Sequence, residues 1–406
     1  MKVIKAGGSK VQKLLQRDTS SKRRIREKVA KIIEDVRSLG DEAVLRYTRK
    51  FDRVKLSAKQ LKVTETEISG AFQNVDPKFV SVLKTIIENV SKFYTKQIRK
   101  SWKIKGEEQI SLGEKITPLE NVGIYIPAGT APLVSTVYMT VIPAKIAGVE
   151  KIVLCVPPNK YGSINPYILA VANLLKVNEV YKIGGAQAIA AMAFGTKTVP
   201  RVDKIIGPGN IYVSEAKRQV YGYVDVDMLA GPSEIVILAN DLSHVDFIAA
   251  DLEAQLEHIA GLSILVTPSK KLARVMKKRL SGGYIVLVKN LQEAVDLINS
   301  IAPEHLEIMV KNPRKILKKI KNAGAIFLGP YSPVALGDYA AGPSHVLPTA
   351  GTARFSSGLS INDFVKRSHV ISYTKKALEK VREPIEKIAE LEGLQKHIQS
   401  IKIRFE

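Results

Sequence analysis

The N-terminal third of the chain carries the spacing of amphipathic helices. In the stretch SKRRIREKVAKIIEDVR, charged residues surround a set of apolar residues three or four positions apart: Ile25, Val29, Ile32 and Val36. This spacing places the apolar side chains along one stripe of a helix and the charges on its other face. We therefore expect a mostly helical region with solvated charged faces.

From about residue 120 the pattern changes to short runs that are apolar throughout, each followed by a helical stretch. These runs are NVGIYIP, KIVLCVPP, EVYKIGG, VDKIIGPG and EIVILAND. Apolar strands that alternate with helices are typical of a parallel sheet covered on both faces. Three further strand-like runs follow, SILVTP, GYIVLV and GAIFLG, and the region from about residue 362 is interpreted as helix-rich. The predicted fold class is α/β.

Length and composition narrow the class of protein. A chain of 406 residues with 45% hydrophobic residues exceeds one ordinary domain and can bury several cores. It contains no uncharged apolar run of membrane-spanning length and no signal-peptide pattern at its N-terminus. The single cysteine, Cys155, lies in a strand-like run, where a buried core residue is favoured over a reactive thiol. These features predict a cytoplasmic protein without a membrane partner.

The strong positive charge raises the alternative of a nucleic-acid-binding protein. The formal net charge is +23, and residues 1–105 hold 27 Lys and Arg against 11 Asp and Glu. However, this excess coincides with the amphipathic helices, and the sequence has no RNA-binding aromatic motif and no zinc-finger spacing. Solvated helix faces are the favoured explanation, and nucleic acid is not the expected partner.

Glycine-rich turns follow three of the predicted strands. They are YIPAGTAP with Tyr125 and Gly129, IGGAQ with Gly184, Gly185 and Gln187, and GPGN ending at Asn210. Glycine allows the backbone to approach a phosphate, and a following helix N-terminus offers free N–H groups. None is a complete G-x-G-x-x-G motif, and each alone could be an ordinary tight turn. Three at the same edge of one sheet predict a ligand cleft.

Polar side chains with metal-binding chemistry occur later in the chain. Gln255 and His258 in AQLEH are expected on one helical face, three residues apart. The other candidates lie in GDYAAGPSH, interpreted as a loop after a strand, and in EGLQKH near the C-terminus: Asp338, Tyr339, His345, Glu392 and His397. Imidazoles, a carboxylate and an amide oxygen would suit zinc. Each histidine could equally be a hydrogen-bonded structural residue, which is our interpretation of His244 and His369.

The stretch APEHLE places a carboxylate beside an imidazole. Pro303 suits the first position of a helix, so Glu304 and His305 are predicted in its first turn. The helix dipole would then keep His305 neutral and able to accept a proton, while an ionised Glu304 could activate water. Two bases in one turn suit a reaction that removes two protons, although an ordinary charged first turn has the same sequence.

Several long motifs, in order, resemble those of histidinol dehydrogenase from about residue 20 to the end. They are VDKIIGPGNIYVSEAKRQVYG, VDVDMLAGPSEIVILA, AQLEH, APEHLE, GDYAAGPSHVLPT and EGLQKH. The resemblance implies two incomplete Rossmann-like, doubly wound domains with parallel sheets, plus small helical extensions. Its boundaries here are an N-terminal extension 1–24, a first domain 25–118 with 234–360, a second domain 119–233, and a helix-rich tail 361–406 exchanged in the dimer.

The resemblance also implies an activity, cofactors and residue roles. L-Histidinol would be oxidised to L-histidine through L-histidinaldehyde with two NAD reduced, the last step of histidine biosynthesis. One Zn²⁺ per subunit and a homodimer with shared active sites are implied. By motif, Gln255, His258, Asp338 and a neighbouring subunit's His397 would hold zinc. His305 resembles the general base and Glu304 the water-activating base. Substrate contacts would be Ser233, Tyr339, His345 and Glu392 with His305 and the zinc ligands, and cofactor contacts would be Tyr125, Gln187 and Asn210.

Two other hypotheses stay open at this point. The first is an NAD-dependent dehydrogenase of another amino alcohol, which should lack part of the substrate-contact set. The second is a basic nucleic-acid-binding protein on an enzyme scaffold, which should lack Glu304, His305 or a metal ligand. The sequence retains all these residues.

Overall fold

The computed structural model describes residues 1–6, 8, 11, 23–128, 131–258 and 260–406. Most of the predicted N-terminal extension therefore lies outside the described residues, as does Gly129. Two compact units are formed, one by residues 1–97 and 119–364 and the other by residues 98–118 and 365–406. The predicted α/β class with parallel sheets is confirmed by the strand pairing.

The described strands are β1 (Lys2–Lys5), β2 (Trp102–Lys105), β3 (Ser111–Pro118), β4 (Asn121–Tyr125), β5 (Lys151–Val156), β6 (Glu179–Lys182), β7 (Lys204–Ile206), β8 (Asp225–Val226), β9 (Glu234–Leu238), β10 (Leu262–Thr267), β11 (Tyr284–Leu287), β12 (His305–Ile308), β13 (Ala325–Leu328) and β14 (Val365–Ser372).

The described α-helices are α1 (Arg23–Leu39), α2 (Asp41–Phe51), α3 (Ala58–Leu61), α4 (Glu65–Gly70), α5 (Pro77–Thr95), α6 (Val134–Ala147), α7 (Pro166–Leu174), α8 (Gly185–Phe194), α9 (Ile211–Val220), α10 (Val245–Gln255), α11 (Lys270–Arg279), α12 (Leu291–Ile301), α13 (Pro313–Leu317), α14 (Val334–Tyr339), α15 (Lys375–Lys380), α16 (Arg382–Leu391) and α17 (Gln395–Lys402). Short 3₁₀ helices lie at Ala71–Asn74, Glu107–Gln109, Thr352–Arg354 and Ile361–Phe364.

The five-stranded sheet of the first unit is parallel, in the order β6-β5-β4-β7-β8. The chain runs outward from β4 through β5 to β6, and then crosses to β7 on the other side of β4. The strand order therefore reverses between β4 and β7. In open α/β sheets this reversal opens a crevice outside the carboxyl ends of the strands, where ligands bind.

The N-terminal helices cover this five-stranded sheet. The predicted apolar stripe of α1 is confirmed, since Val29, Ile32 and Val36 are buried and Ile25 packs at the edge of the same core. That core continues through the buried residues of β5, α8 and α9. The helices α1 and α2 pack on the five-stranded sheet through this core, while the domain bounds that the resemblance implies stay a prediction. An amphipathic stripe gives the buried face of a helix and not the identity of its partner.

The six-stranded sheet is also parallel, in the order β1-β11-β10-β9-β12-β13. Two separate apolar cores lie against its faces. The predicted helix start at Pro303 is wrong, because α12 ends at Ile301 and His305 opens strand β12. All four β12 residues are buried between β9 and β13. Proline is compatible with the position before a strand as well as with the first turn of a helix. The burial of the residues after Pro303 in the sheet favours the strand.

The second unit contains an antiparallel sheet in the order β14-β3-β2, together with helices α15 to α17. The prediction of a helix-rich tail holds for residues 375–402, but residues 365–372 form the long strand β14. Large apolar side chains are exposed on this unit, among them Trp102, Ile104 and Ile371.

The prediction of a buried Cys155 is confirmed. The side chain lies inside β5 with no exposed surface, and burial raises the pKa of its thiol. A thiol of this kind stays protonated and unreactive at neutral pH. Across the described ranges, no helix is both long enough and apolar enough to cross a bilayer.

Candidate functional site

Glu304 lies just before β12, at the carboxyl side of α12, and its carboxylate is held by two donors. Oε2 accepts hydrogen bonds from the Ser233 hydroxyl at 2.7 Å and from the Glu234 backbone N–H at 2.8 Å. Burial raises the pKa of Glu304 to about 7, although the neighbouring His305 and the two hydrogen bonds oppose the shift. A carboxyl group with such a pKa can gain or lose a proton near neutral pH.

One ring nitrogen of His305 makes a hydrogen bond, and the other has no partner among the described residues. Nδ1 lies 3.0 Å from the Glu234 carbonyl oxygen, to which it donates, and 3.5 Å from Oε2 of Glu304. Nε2 is buried, has no hydrogen-bond partner among the described residues, and lies 3.6 Å from Oδ1 of Asp338. In the neutral ring, this tautomer leaves the Nε2 lone pair free to accept a proton.

The prediction that a helix dipole keeps His305 neutral is wrong. No helix begins at this residue, and two carboxylates lie beside its ring instead. Burial alone would lower the pKa of the imidazole, but the charges of Glu304 and Asp338 outweigh burial and raise the pKa to about 9. Nearby opposite charge is thus the stronger influence on His305.

Asp338 and Tyr339 end the short helix α14 and do not lie in a loop, contrary to the sequence interpretation. The Asp338 carbonyl oxygen lies 3.0 Å from Nδ1 of His345, whose Nε2 is 3.2 Å from the Thr136 hydroxyl on α6. The Tyr138 hydroxyl, also on α6, donates to the Tyr339 carbonyl at 3.0 Å. These hydrogen bonds hold the C-terminal end of α14 against α6.

Gln255 is the last residue of α10 and is buried, whereas His258 lies beyond the helix end and is exposed. The prediction that they share one helical face is therefore wrong, because the helix stops between them. The Gln255 Nε2 atom has no hydrogen-bond partner among the described residues. Since amide oxygen and nitrogen are interchangeable by a side-chain flip, Gln255 offers an unused buried donor or acceptor.

A buried pair of carboxyl groups, which the sequence did not predict, ties three elements of the site together. Asp251 on α10 lies close enough to Glu307 on β12 for its charge to act on the Glu307 carboxyl group, and Glu307 Oε1 accepts the Val334 N–H at 2.9 Å at the start of α14. Gln255 and Asp338 each follow one helical turn later on α10 and α14. Burial and the charge of Asp251 raise the pKa of Glu307 to about 8. In the sequence Glu307 looks like an ordinary surface glutamate, because only its burial in the fold distinguishes it from one.

Replacing Glu307 with glutamine is expected to flatten the pH dependence of stability. The folded state holds the Glu307 proton up to about pH 8, whereas a glutamate in an unfolded chain loses it near pH 4.5, so wild-type stability falls as pH rises between these values. Glutamine cannot ionise, yet its amide can donate to Asp251 and accept from Val334. Thermal unfolding across this pH range should show a smaller loss for the variant than for wild type. Equal losses in both proteins, with the exposed Glu257→Gln variant as control, would contradict this assignment.

The metal-ligand assignment stays a prediction within one chain. Among residues 1–6, 8, 11, 23–128, 131–258 and 260–406, no three His, Cys, Asp or Glu side chains form a cluster that could hold a metal ion. Glu392 and His397 belong to the second unit, where both side chains are exposed. The first unit offers one amide, one imidazole and one carboxylate, which fit the ligand preferences of zinc but leave its tetrahedral set incomplete.

The predicted cofactor residues lie along the carboxyl edge of the five-stranded sheet. The Tyr125 hydroxyl, after β4, accepts the Gly185 N–H at 3.1 Å. Gln187 in the first turn of α8 is 1% exposed, and neither polar atom of its amide has a partner among the described residues. Asn210 caps α9 by accepting the N–H groups of Tyr212 and Val213. The orphaned Gln187 amide fits a polar ligand at this edge.

The GPGN turn is supported by a buried ion pair that sequence reasoning missed. Lys217 on α9 donates to the Gly207 carbonyl at 2.8 Å and pairs with Asp227, which accepts the Gly207 N–H at 2.8 Å. Gly207 has φ +113°, and a β-carbon there would collide with the Tyr125 carbonyl oxygen. The turn therefore requires glycine, and it brings the ends of β4 and β7 into close contact.

Comparison with known proteins agrees with these motifs. Residues 15–405 match the family model described as histidinol dehydrogenase. The histidinol dehydrogenase of Clostridium acetobutylicum is 48% identical over 413 residues, covering 97% of this chain and 95% of that protein. That of Caldanaerobacter subterraneus is 47% identical, covering 97% and 95%. The crystal structure of histidinol dehydrogenase from Elizabethkingia anophelis has a TM-score of 0.93 at 36% identity, covering 100% of this chain and 98% of that one.

Such similarity over nearly the whole of both chains far exceeds what a shared fold alone would produce. The residues held around Glu304 and His305 lie within the matched region, as do the turns at the edge of the five-stranded sheet. This chain belongs to the histidinol dehydrogenase family.

Proposed function

We propose that the protein oxidises L-histidinol to L-histidine through L-histidinaldehyde, with two NAD reduced in turn, as the last step of histidine biosynthesis. Family membership supports the substrate and the pathway step. The observation that best supports this reaction is that Glu304 and His305 are adjacent bases whose side chains are held in different ways. Glu304 is fixed by Ser233 and Glu234, while Nε2 of His305 is buried without a partner among the described residues.

His305 serves as the base for the alcohol proton. Its Nδ1 is committed to the Glu234 carbonyl, which fixes the ring orientation, so Nε2 of the neutral ring is the position for an incoming proton. The nearby Asp338 and Glu304 carboxylates favour the imidazolium that results. Removing this proton from the hydroxyl group prepares the substrate for hydride loss.

Glu304 serves as the base that activates water on the aldehyde. Its pKa near 7 allows it to take a proton from water at neutral pH and release it afterwards. The Ser233 hydroxyl and the Glu234 N–H hold Oε2, so the remaining carboxylate oxygen is the one available to water. Because Glu304 is buried, the aldehyde would be hydrated within the protein and not lost to solvent.

Gln255, His258 and Asp338 would hold Zn²⁺ together with His397 from a second copy of the chain. When bound, zinc would supply a coordination centre that orients the imidazole and amine of the substrate. The Asp251–Glu307 pair supports this role, because it positions the turns of α10 and α14 that carry Gln255 and Asp338. Substrate contacts are proposed for Ser233, Tyr339, His345 and Glu392.

Tyr125, Gln187 and Asn210 would contact NAD, which accepts the hydride of each oxidation when bound. The reversal of strand order between β4 and β7 supports this placement, since Tyr125 and Asn210 lie on its two sides. The rigid Gly207 turn keeps these two strand ends close. The unpaired amide of Gln187 has hydrogen-bonding capacity that the hydroxyl groups of the dinucleotide could satisfy.

A homodimer with shared active sites accords with the surface of the second unit. Its side chains Trp102, Ile104, Ile371, Leu391 and Ile403 are all more than half exposed. Apolar groups in this number on a small unit favour burial against another chain. Such a dimer would bring Glu392 and His397 of one copy to the site of the other.

Chelation provides the test of the proposal. The metal-loaded protein should form NADH when given L-histidinol and NAD, lose this activity on treatment with a chelator, and regain it with Zn²⁺. The thermal unfolding midpoint of the chelated protein should be recorded in parallel, to show that the fold persists. No L-histidinol-dependent NADH from the zinc-loaded protein would overturn the proposed function, and full activity in protein shown to be metal-free would overturn the metal assignment alone.

A further inference from the structure

Asp52 presents a carboxylate at the carboxyl edge of the five-stranded sheet, beside the proposed cofactor residues. It follows α2, and its backbone N–H is bonded to the Thr48 carbonyl at 2.9 Å. Its Oδ1 lies 3.2 Å from where a β-carbon on Gly184 would stand, and that β-carbon would also lie 2.9 Å from the Pro157 ring. The absence of a side chain at Gly184 therefore lets Asp52 approach the turn between β6 and α8.

The Asp52 carboxylate has no partner among the described residues. Oδ2 is enclosed and makes no hydrogen bond. Oδ1 faces the Gly184 backbone, 3.2 Å from the position that a β-carbon there would occupy. Partial burial raises the pKa of Asp52 to about 6, and neither a hydrogen bond nor a positive charge offsets this effect. A desolvated carboxylate without a donor is costly, so its persistence favours a partner that arrives from outside.

Two neighbouring groups indicate that the missing partner is a ligand. Burial raises the pKa of the Tyr125 phenol, the nearby Asp52 charge adds to this shift, and the Tyr125 hydroxyl accepts the Gly185 N–H. Gln187, one turn into α8, is 1% exposed and has both amide atoms unpaired among the described residues. A carboxylate, a hydroxyl and an amide, all close to Gly184 and Gly185, would match the hydroxyl groups of a sugar.

We propose that Asp52 accepts hydrogen bonds from the adenosine ribose of the dinucleotide and selects NAD against NADP. This inference rests on the proposed function and names a residue that determines its cofactor specificity. Adjacent ribose hydroxyls can each donate to one carboxylate, whereas a 2′-phosphate supplies no donor there and adds negative charge. The Asp52 carboxylate would thus favour the binding of NAD and disfavour the binding of NADP.

Asp52→Asn tests the proposal, because binding and stability should change in opposite directions. The dissociation constants of NADH and NADPH are measured by fluorescence titration of the zinc-loaded protein, and unfolding is followed by thermal denaturation. The NADH constant is expected to rise about tenfold, and the preference for NADH over NADPH to narrow by at least as much. The unfolding midpoint at neutral pH should rise, since a desolvated charge is removed.

Asp246→Asn is the matched control, because it removes the same charge from an exposed ion pair with Arg279. Its NADH constant and cofactor preference should equal those of wild type. Unchanged cofactor preference in Asp52→Asn would overturn this inference, as would an equal weakening of both dinucleotides with a lower unfolding midpoint. Wild-type protein that binds no NADH would overturn the proposed cofactor as well, so the two failures are distinguishable.

Discussion

Replacing His305 with asparagine is expected to abolish the oxidation of L-histidinol while leaving the fold intact. The asparagine amide can still donate to the Glu234 carbonyl, as Nδ1 does at 3.0 Å, but it has no counterpart of Nε2. Loss of a general base costs about 10²–10⁴ in rate. The NADH formation rate with L-histidinol should therefore fall by about this factor, while oxidation of supplied L-histidinaldehyde should retain most of its rate.

His244→Asn is the suitable control for this substitution. His244 lies at the N-terminus of α10, exposed and stacked on Phe247, and asparagine is well tolerated at such a position. Its rate with L-histidinol should match that of wild type. An equal loss of both half-reactions in His305→Asn, or an undiminished alcohol rate, would contradict the role assigned to His305.

Replacing Glu304 with glutamine is expected to impair the aldehyde half-reaction most. The glutamine carbonyl can still accept hydrogen bonds from Ser233 and Glu234, but the neutral amide cannot take a proton from water. Oxidation of L-histidinaldehyde should fall by about 10²–10⁴. In wild type its rate should rise with pH through about 7, because Glu304 must be ionised to act and burial places its pKa there.

Two observations would separate this role from a structural one. The exposed Glu253→Gln variant on α10 should keep the wild-type rate with the aldehyde. In Glu304→Gln, the first oxidation should continue more nearly at the wild-type rate, so that aldehyde accumulates. If the alcohol and aldehyde rates fell together, or if the wild-type pH profile persisted in the variant, Glu304 would not be the water-activating base.

Continuous apolar runs allowed the parallel strands to be predicted. The runs at 121–125, 151–156 and 262–267 are strands as expected, because strands buried on both faces must be apolar throughout. Strand β12 was not predicted because it includes His305 and Glu307. The hydrogen-bond partners of His305 Nδ1 and Glu307 Oε1 are neighbours distant in sequence. The antiparallel strands β2 and β14 were not predicted because their residues are largely exposed and β2 spans only four residues.

The sequence proposed members for the candidate site but could not give their contacts. Motifs identified Glu304, His305 and Asp338, and the structure places the last two within 3.6 Å of each other. Their protonation could not be derived from the sequence, since the pKa of His305 depends on carboxylates that reach it through folding. Asp52 was missed for a similar reason, because its significance lies in an unpaired carboxylate beside Gly184, a residue far from it in the sequence.

The number of NADH molecules formed for each L-histidinol consumed tests the central claim most directly. A limiting amount of L-histidinol, excess NAD and the zinc-loaded protein should be allowed to react to completion, with the amino-acid product identified. The account predicts two NADH and one L-histidine for each L-histidinol, since Glu304 and His305 each serve one oxidation. A single NADH with L-histidinaldehyde released as the final product would contradict it.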